Sequence, residues 1–215
     1  MKLKIVILCL IFFCLPLTSC NTKNTSSSNI SQIRKDIFYG ERENLSVKVY
    51  LEEKEQPFIN DGIANNRQNC LIIKVFCLSQ KTSVSFKING KAYNLNCTYN
   101  NVTNSQDAFT IVKTLPTNSL VITATIDENS YDIECKSKLK SDTISPLTAL
   151  EKVNLQEKDF VSSLYENGTF NAEIYIRLLC VGDYNFYYVG YACGNNKITA
   201  FLVDGITGDI IAGKN

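Results

Sequence analysis

Residues 83–97 read Ser83-Val84-Ser85-Phe86-Lys87-Ile88-Asn89-Gly90-Lys91-Ala92-Tyr93-Asn94-Leu95-Asn96-Cys97, and this stretch decides the fold class. Two runs of alternating residues flank Asn89-Gly90, a pair that accepts the positive φ angles of a two-residue type I′ loop. A hairpin centred there sets Ile88 opposite Lys91, Phe86 opposite Tyr93 and Val84 opposite Leu95, which puts one apolar stripe on one face. The same period of two recurs on both sides. Leu45, Val47, Val49 and Leu51 alternate with Ser46, Lys48 and Tyr50, and Leu120, Ile122, Ala124 and Ile126 alternate with Val121, Thr123 and Thr125. With further runs at 70–78, 108–113 and 130–136, about seven strands are expected over residues 36–137, the pattern of an antiparallel β-sandwich.

The cysteines follow from these stripes. Cys77 continues Leu71, Ile73 and Val75, Cys97 continues Tyr93 and Leu95, and Cys135 continues Tyr131 and Ile133, so all three should point inward. With Cys70 they allow three disulfide pairings, among which sequence does not choose, and buried free thiols are an equal alternative. No Cys-x-x-Cys pair occurs, so neither a zinc knuckle nor a thioredoxin-type motif is supported.

Ser137 to Ser145 breaks the strand pattern and reads as a linker. Ser145 before Pro146 predicts a helix N-cap with proline at the first helical position. Asn154 with Glu157 approximates a second capping box, and Phe160, Val161 and Leu164 give an apolar helical stripe that Asn167-Gly168 ends. Three strands then follow, Phe170 to Cys180, Tyr184 to Cys193 and Lys197 to Asp204, turning at Gly182-Asp183 and Gly194-Asn195-Asn196. The expectation over 145–215 is a small α+β unit, one helix packed on a three-stranded antiparallel meander. A first hairpin symmetric about Gly182-Asp183 puts Cys193 opposite residue 172 or 173, which disfavours a Cys180–Cys193 disulfide.

At the other end, Lys2 and Lys4 precede an apolar run from Ile5 to Leu15, too short to span a bilayer of about 30 Å as a helix. The run closes on Leu17-Thr18-Ser19-Cys20, which resembles the lipobox of bacterial lipoproteins. That resemblance implies a signal peptide at 1–19, a diacylglyceryl group on the thiol of Cys20, and extracytoplasmic attachment to the bacterial cell membrane by lipid. Residues 20–35 are rich in Ser, Thr and Asn and read as a flexible tether. The chain has 22 Lys and Arg against 21 Asp and Glu, and losing Lys2 and Lys4 leaves it close to neutral, with no basic patch for nucleic acid. The chain contains no histidine, which excludes Ser-His-Asp triads, Cys-His pairs and histidine-ligated zinc.

Two further resemblances concern the folded part. Tyr187-Tyr188-Val189-Gly190-Tyr191, then Ile198 to Val203, closing on Val203-Asp204-Gly205-Ile206-Thr207-Gly208-Asp209-Ile210, is similar to the closing pattern of PepSY-type domains. The ending has a physical sense: Asp204 can accept from backbone amides two residues on, and Gly208 can take a positive φ. The resemblance implies no catalytic residue and no cofactor, and a regulatory role toward exported proteases or sensors. By strand count, residues 36–137 resemble a bacterial immunoglobulin-like module.

The function expected is therefore a lipid-anchored, non-catalytic binding module of the cell envelope, with an exported protein as partner. Tyr184, Tyr187 and Tyr191 are the candidate partner contacts, because tyrosine couples a large apolar area to a polar tip. Alternation places Tyr187, Val189 and Tyr191 on one face and Phe186, Tyr188 and Gly190 on the other, and one face must cover the helix. The alternative is a small hydrolase using paired carboxylates, for which Glu41, Glu43, Asp204 and Asp209 are the candidates. Two carboxylates in Asp204-Gly205-Ile206-Thr207-Gly208-Asp209 are too few for a calcium loop, and no metal site is expected.

Overall fold

The hairpin at Asn89-Gly90 forms with the expected register. In a computed structural model, which describes residues 28–59, 61–77, 81–193 and 197–214, β4 (Thr82–Ile88) and β5 (Lys91–Asn96) pair Val84 with Leu95, Phe86 with Tyr93 and Ile88 with Lys91. Asn89 and Gly90 take φ angles of 49° and 80°. The protein is mainly β, built chiefly from antiparallel pairings, with two helices among the described residues. Its other N-terminal strands are β1 (Ile30–Arg42), β2 (Leu45–Glu55), β3 (Arg67–Phe76), β6 (Thr98–Asn100), β7 (Ser105–Ile111), β8 (Ser119–Ile126) and β9 (Asn129–Ser137).

These strands curl into a near-barrel. From β1 one arm runs β2-β3-β7-β6 and the other runs β9-β8-β4-β5. Because β5 ends at Asn96 and β6 begins at Thr98, a bend at Cys97 carries the chain from its pairing with β4 to its pairing with β7, and the arms nearly meet. The inward stripes build one core, with Phe38, Val47, Val49, Ile73, Val75, Ile122 and Cys135 fully buried and Cys77 and Cys97 packed against it. At Gly40 the crossing of β1 by β9 is so close that a Cβ would stand 2.5 Å from the Glu134 carbonyl oxygen.

The largest departure from the sequence reading is β1. It begins at Ile30, inside the stretch expected to be tether, and a start at residue 36 would cut it in two. Residues 30–34 pair in parallel with β12 (Glu173–Val181), while Phe38 and Tyr39 pair on the same side with β9. β1 thus joins both halves into one sheet, and Ile30, Ile33 and Ile37 enter the second core. That parallel pairing was not expected.

The second half continues the sheet as an antiparallel meander of β12, β13 (Tyr184–Ala192), β14 (Ile198–Asp204) and β15 (Ile210–Lys214), one strand more than expected. The β12–β13 register puts Val181 opposite Tyr184 and Glu173 opposite Ala192, as symmetry about Gly182-Asp183 requires. Helix α1 (Pro146–Gln156) starts at Ser145, whose Oγ accepts from the Thr148 amide at 3.1 Å. It lays Ala149, Leu150 and Val153 on the sheet, completing a core with Ile174, Ile176, Val189 and Val203. Asn154 lies inside α1 and caps nothing; α2 (Lys158–Ser163) has Glu157 at its N-cap without a side-chain bond. Asn167-Gly168 does not end a helix either. It turns a separate hairpin of β10 (Tyr165–Glu166) and β11 (Thr169–Phe170).

Past Ser137, which closes β9, the expected linker has no regular structure, yet it is strapped to the sheet by Asn185, which is 6% exposed. Asn185 Oδ1 accepts from the Lys140 amide at 2.9 Å and from Thr143 Oγ1 at 2.8 Å, and its Nδ2 donates to the Lys138 carbonyl at 3.1 Å. The Ile144 amide donates to the Gly205 carbonyl at 2.8 Å.

Candidate functional site

Of the three tyrosines expected at a partner surface, two are interior. Tyr187 and Tyr191 lie under α1 at 1% and 0% exposure. Their hydroxyls are used within the fold, Tyr187 donating to the Ile144 carbonyl at 2.8 Å and Tyr191 to Asn154 Oδ1 at 2.7 Å. Tyr184, on the opposite face, is 68% exposed and stacks on Phe186 with ring centroids 6.4 Å apart. Period two could not say which face the helix covers; the tertiary structure assigns it Tyr187, Val189 and Tyr191.

The carboxylates occupy two separate turns. Glu41 and Glu43 sit where β1 meets β2, Glu41 accepting from Tyr39 and Glu43 lying 4.0 Å from Arg42. Asp204 Oδ1 accepts from the Ile206 and Thr207 amides, both at 2.8 Å, and Gly208 has φ 77°. These bonds hold the Asp204 carboxyl below its ordinary pKa. The cysteines of the described residues are free thiols. Burial raises Cys97 to about 11 and Cys135 to about 12, so little reactive thiolate is present. Cys20 lies outside the described residues. Among the described residues no group of three or more His, Cys, Asp or Glu side chains is placed to hold a metal ion, and no helix is long and apolar enough to cross a membrane.

The chemically distinctive grouping lies on the sheet face turned away from α1, where β2, β1 and β12 run side by side. Arg34 is the register partner of Glu52 on β2 and of Arg177 on β12, so the three side chains share this face. Glu52 is fully buried. Its Oε1 accepts from Arg34 Nε at 2.7 Å and its Oε2 from Gln32 Nε2 at 2.6 Å. Gln32 Oε1 in turn accepts from Arg177 Nε at 2.7 Å. One carboxylate and one amide thus hold two guanidinium groups by their Nε atoms, and neither of these bonds uses the Nη groups.

Aromatic rings wall the pair. The Arg34 guanidinium lies 4.1 Å from the Tyr50 ring, and that of Arg177 lies 5.2 Å and 5.7 Å from the rings of Tyr175 and Tyr188. Lys54 stands 3.9 Å from the Phe58 ring, which itself packs 5.7 Å from Tyr175. Tyr188 keeps its place because Gly190 leaves room beneath it: a Cβ there would meet the ring at 2.7 Å. The segment bearing Phe58 is tied down at Glu173, whose Oε1 accepts from the Asp61 and Gly62 amides and whose Oε2 accepts from the Tyr175 hydroxyl.

The cluster holds three cations against two buried acids, Glu52 and Glu173, of which only Glu52 is hydrogen-bonded to a cation. Burial first, then the neighbouring Arg34, lowers the Arg177 pKa, and burial lowers that of Lys54, opposed by Glu52. Partly desolvated positive charge without enough counter-charge is what an anion would relieve. The sequence reading missed this group. Arg34 falls in the stretch taken for tether, and Arg177 is one polar residue of an alternating strand; the sole pointer was the Phe186, Tyr188, Gly190 phase.

Comparison with models of known protein families, with curated proteins and with solved structures finds no match to this chain.

Proposed function

We propose that this protein is a lipid-anchored cell-envelope protein whose folded part is a non-catalytic binding module, acting on an exported protein such as a protease or a sensor. The observation that supports binding is the sheet face away from α1. Across β2, β1, β12 and β13 this face presents partly exposed Arg34, Lys54, Arg177 and Tyr188, with Phe109 45% and Ile111 47% exposed on β7. Aromatic and arginine side chains on an uncovered face suit recognition. The lipobox-like Leu17-Thr18-Ser19-Cys20 supports the anchor. The same proposal takes residues 36–137 as an immunoglobulin-like module and 145–215 as a PepSY-like unit, supported by the antiparallel strand run and by the Asp204 turn before β15.

The test is mild cross-linking in native membranes followed by capture of the protein, with Cys20→Ala to remove the anchor and paired Tyr184→Ala and Tyr188→Ala to alter the open face. The expected result is an exported protease or sensor recovered with the wild type and lost from the tyrosine variant. Recovery that ignores the tyrosines sinks the open face as the contact surface, and incorporation of a palmitate analogue into Cys20→Ala equal to wild type sinks the anchor.

A further inference from the structure

We propose that Arg34, Arg177 and Lys54 on the open face form a binding site for a phosphate group. The inference rests on reading that face as the binding surface and names its ligand chemistry. Arg34 and Arg177 are partners on adjacent parallel strands, about 4.8 Å apart in the pairing direction. Each spends its Nε on the floor, Arg34 on Glu52 and Arg177 on Gln32, and each is stacked on tyrosine, so both planar forks are preorganised. Among the described residues the Nη groups of Arg177 make no hydrogen bond, and Arg34 Nη1 has a single long contact of 3.5 Å to the Leu178 carbonyl.

Donor number selects the oxyanion. Arg34, Arg177 and Lys54 still outnumber Glu52 and Glu173, and two guanidinium forks with an ammonium offer more donors than the two oxygens of a carboxylate accept, whereas a phosphate monoester carries about −1.5 to −2 at neutral pH and offers three oxygens to donors on several sides. The phosphate could be free in solution or the headgroup of a lipid, and the chemistry at the arginines is the same for both.

The chain has four arginines, so its arginine Nε–H resonances are few and Arg42 and Arg67 serve as internal controls. The detergent-solubilised full chain is titrated with inorganic phosphate, with acetate at matched ionic strength, and with dioctanoyl phosphatidic acid against dioctanoyl phosphatidylcholine. Saturable shifts at Arg34 and Arg177 with phosphate or phosphatidic acid, and affinity about tenfold weaker in Lys54→Gln, are expected. The Lys54 side chain makes no hydrogen bond among the described residues, so this variant retains the floor even where Arg177→Gln fails to fold. Tighter binding of phosphatidic acid than of phosphate assigns the headgroup as source; equal affinity assigns soluble phosphate. Shifts no larger than those from acetate, shifts equal at Arg42, or unaltered affinity in Lys54→Gln overturn the site. Failure here with tyrosine-dependent partner capture intact removes the phosphate site and leaves the binding module standing.

Discussion

On β13, Tyr187 and Tyr191 face α1 and are buried, while Tyr184 and Tyr188, one residue out of phase, face the open side of the same sheet. Beneath the helix every tyrosine hydroxyl has an internal partner, and large apolar side chains close around it. On the open side Glu52 and Gln32 are bound at both ends, but Arg34 and Arg177 are held mainly through Nε and the Tyr184 ring is left exposed. The difference shows that residue type does not distinguish core from surface here. The layer above the sheet does.

The largest effect should come from the covered face. Tyr191→Ala removes a fully buried ring packed edge-on to Phe160 and Phe201, and should cost about 3–5 kcal/mol, whereas Tyr188→Ala should cost about 1 kcal/mol. Urea unfolding of the two variants measures this directly, and equal losses would erase the distinction between the faces. Next in size is Glu52→Ala, which leaves Arg34 without its buried counter-charge; about 3 kcal/mol is expected, because removing one member of a buried pair strands the other. A loss under 1 kcal/mol would mean the guanidinium floor is not held by Glu52.

Gly190→Ala should be milder, about 1–2 kcal/mol, since its methyl group meets the movable Tyr188 ring and not backbone. Its sharper signature is displacement of that ring, read as a change in Tyr188 aromatic proton shifts with Tyr187 shifts unchanged. The smallest effect is the pH dependence of the β14–β15 turn. The folded Asp204 pKa is depressed by the Thr207 and Ile206 amides, so its contribution is complete above the unfolded value of about 4 and is lost as pH falls through the lower folded value. The stability difference between wild type and Asp204→Asn should therefore be constant near neutral pH and shrink in acid. A difference that grows on acidification would contradict the turn geometry.

Local chemistry was legible wherever neighbours in sequence decide the outcome. Asn89-Gly90 set its hairpin to the residue, Ser145-Pro146 opened α1, Gly182-Asp183 set the β12–β13 register, and Asp204 with Gly208 made the last turn. The short signals that failed are equally instructive. Asn154 resembles a cap in sequence, but its side chain accepts from Tyr191 across the core, and Asn167-Gly168 serves a hairpin as readily as a helix end.

What sequence alone determined is the mainly β character, the antiparallel hairpins with their apolar stripes, and the two turns that bound the final strands, because each depends on residues a few positions apart. Only the tertiary structure decided the start of β1, the near-barrel closure at Cys97, the face that α1 covers, and the meeting of Arg34 with Arg177. In β1 the irregularities at Ile30/Gln32 and Arg34/Asp36 shift the side-chain phase, so Ile30, Ile33 and Ile37 show no period of two and the segment reads as tether. Its parallel partner lies more than a hundred residues away along the chain, and no local pattern can encode a contact whose energy exists only when both strands are in place.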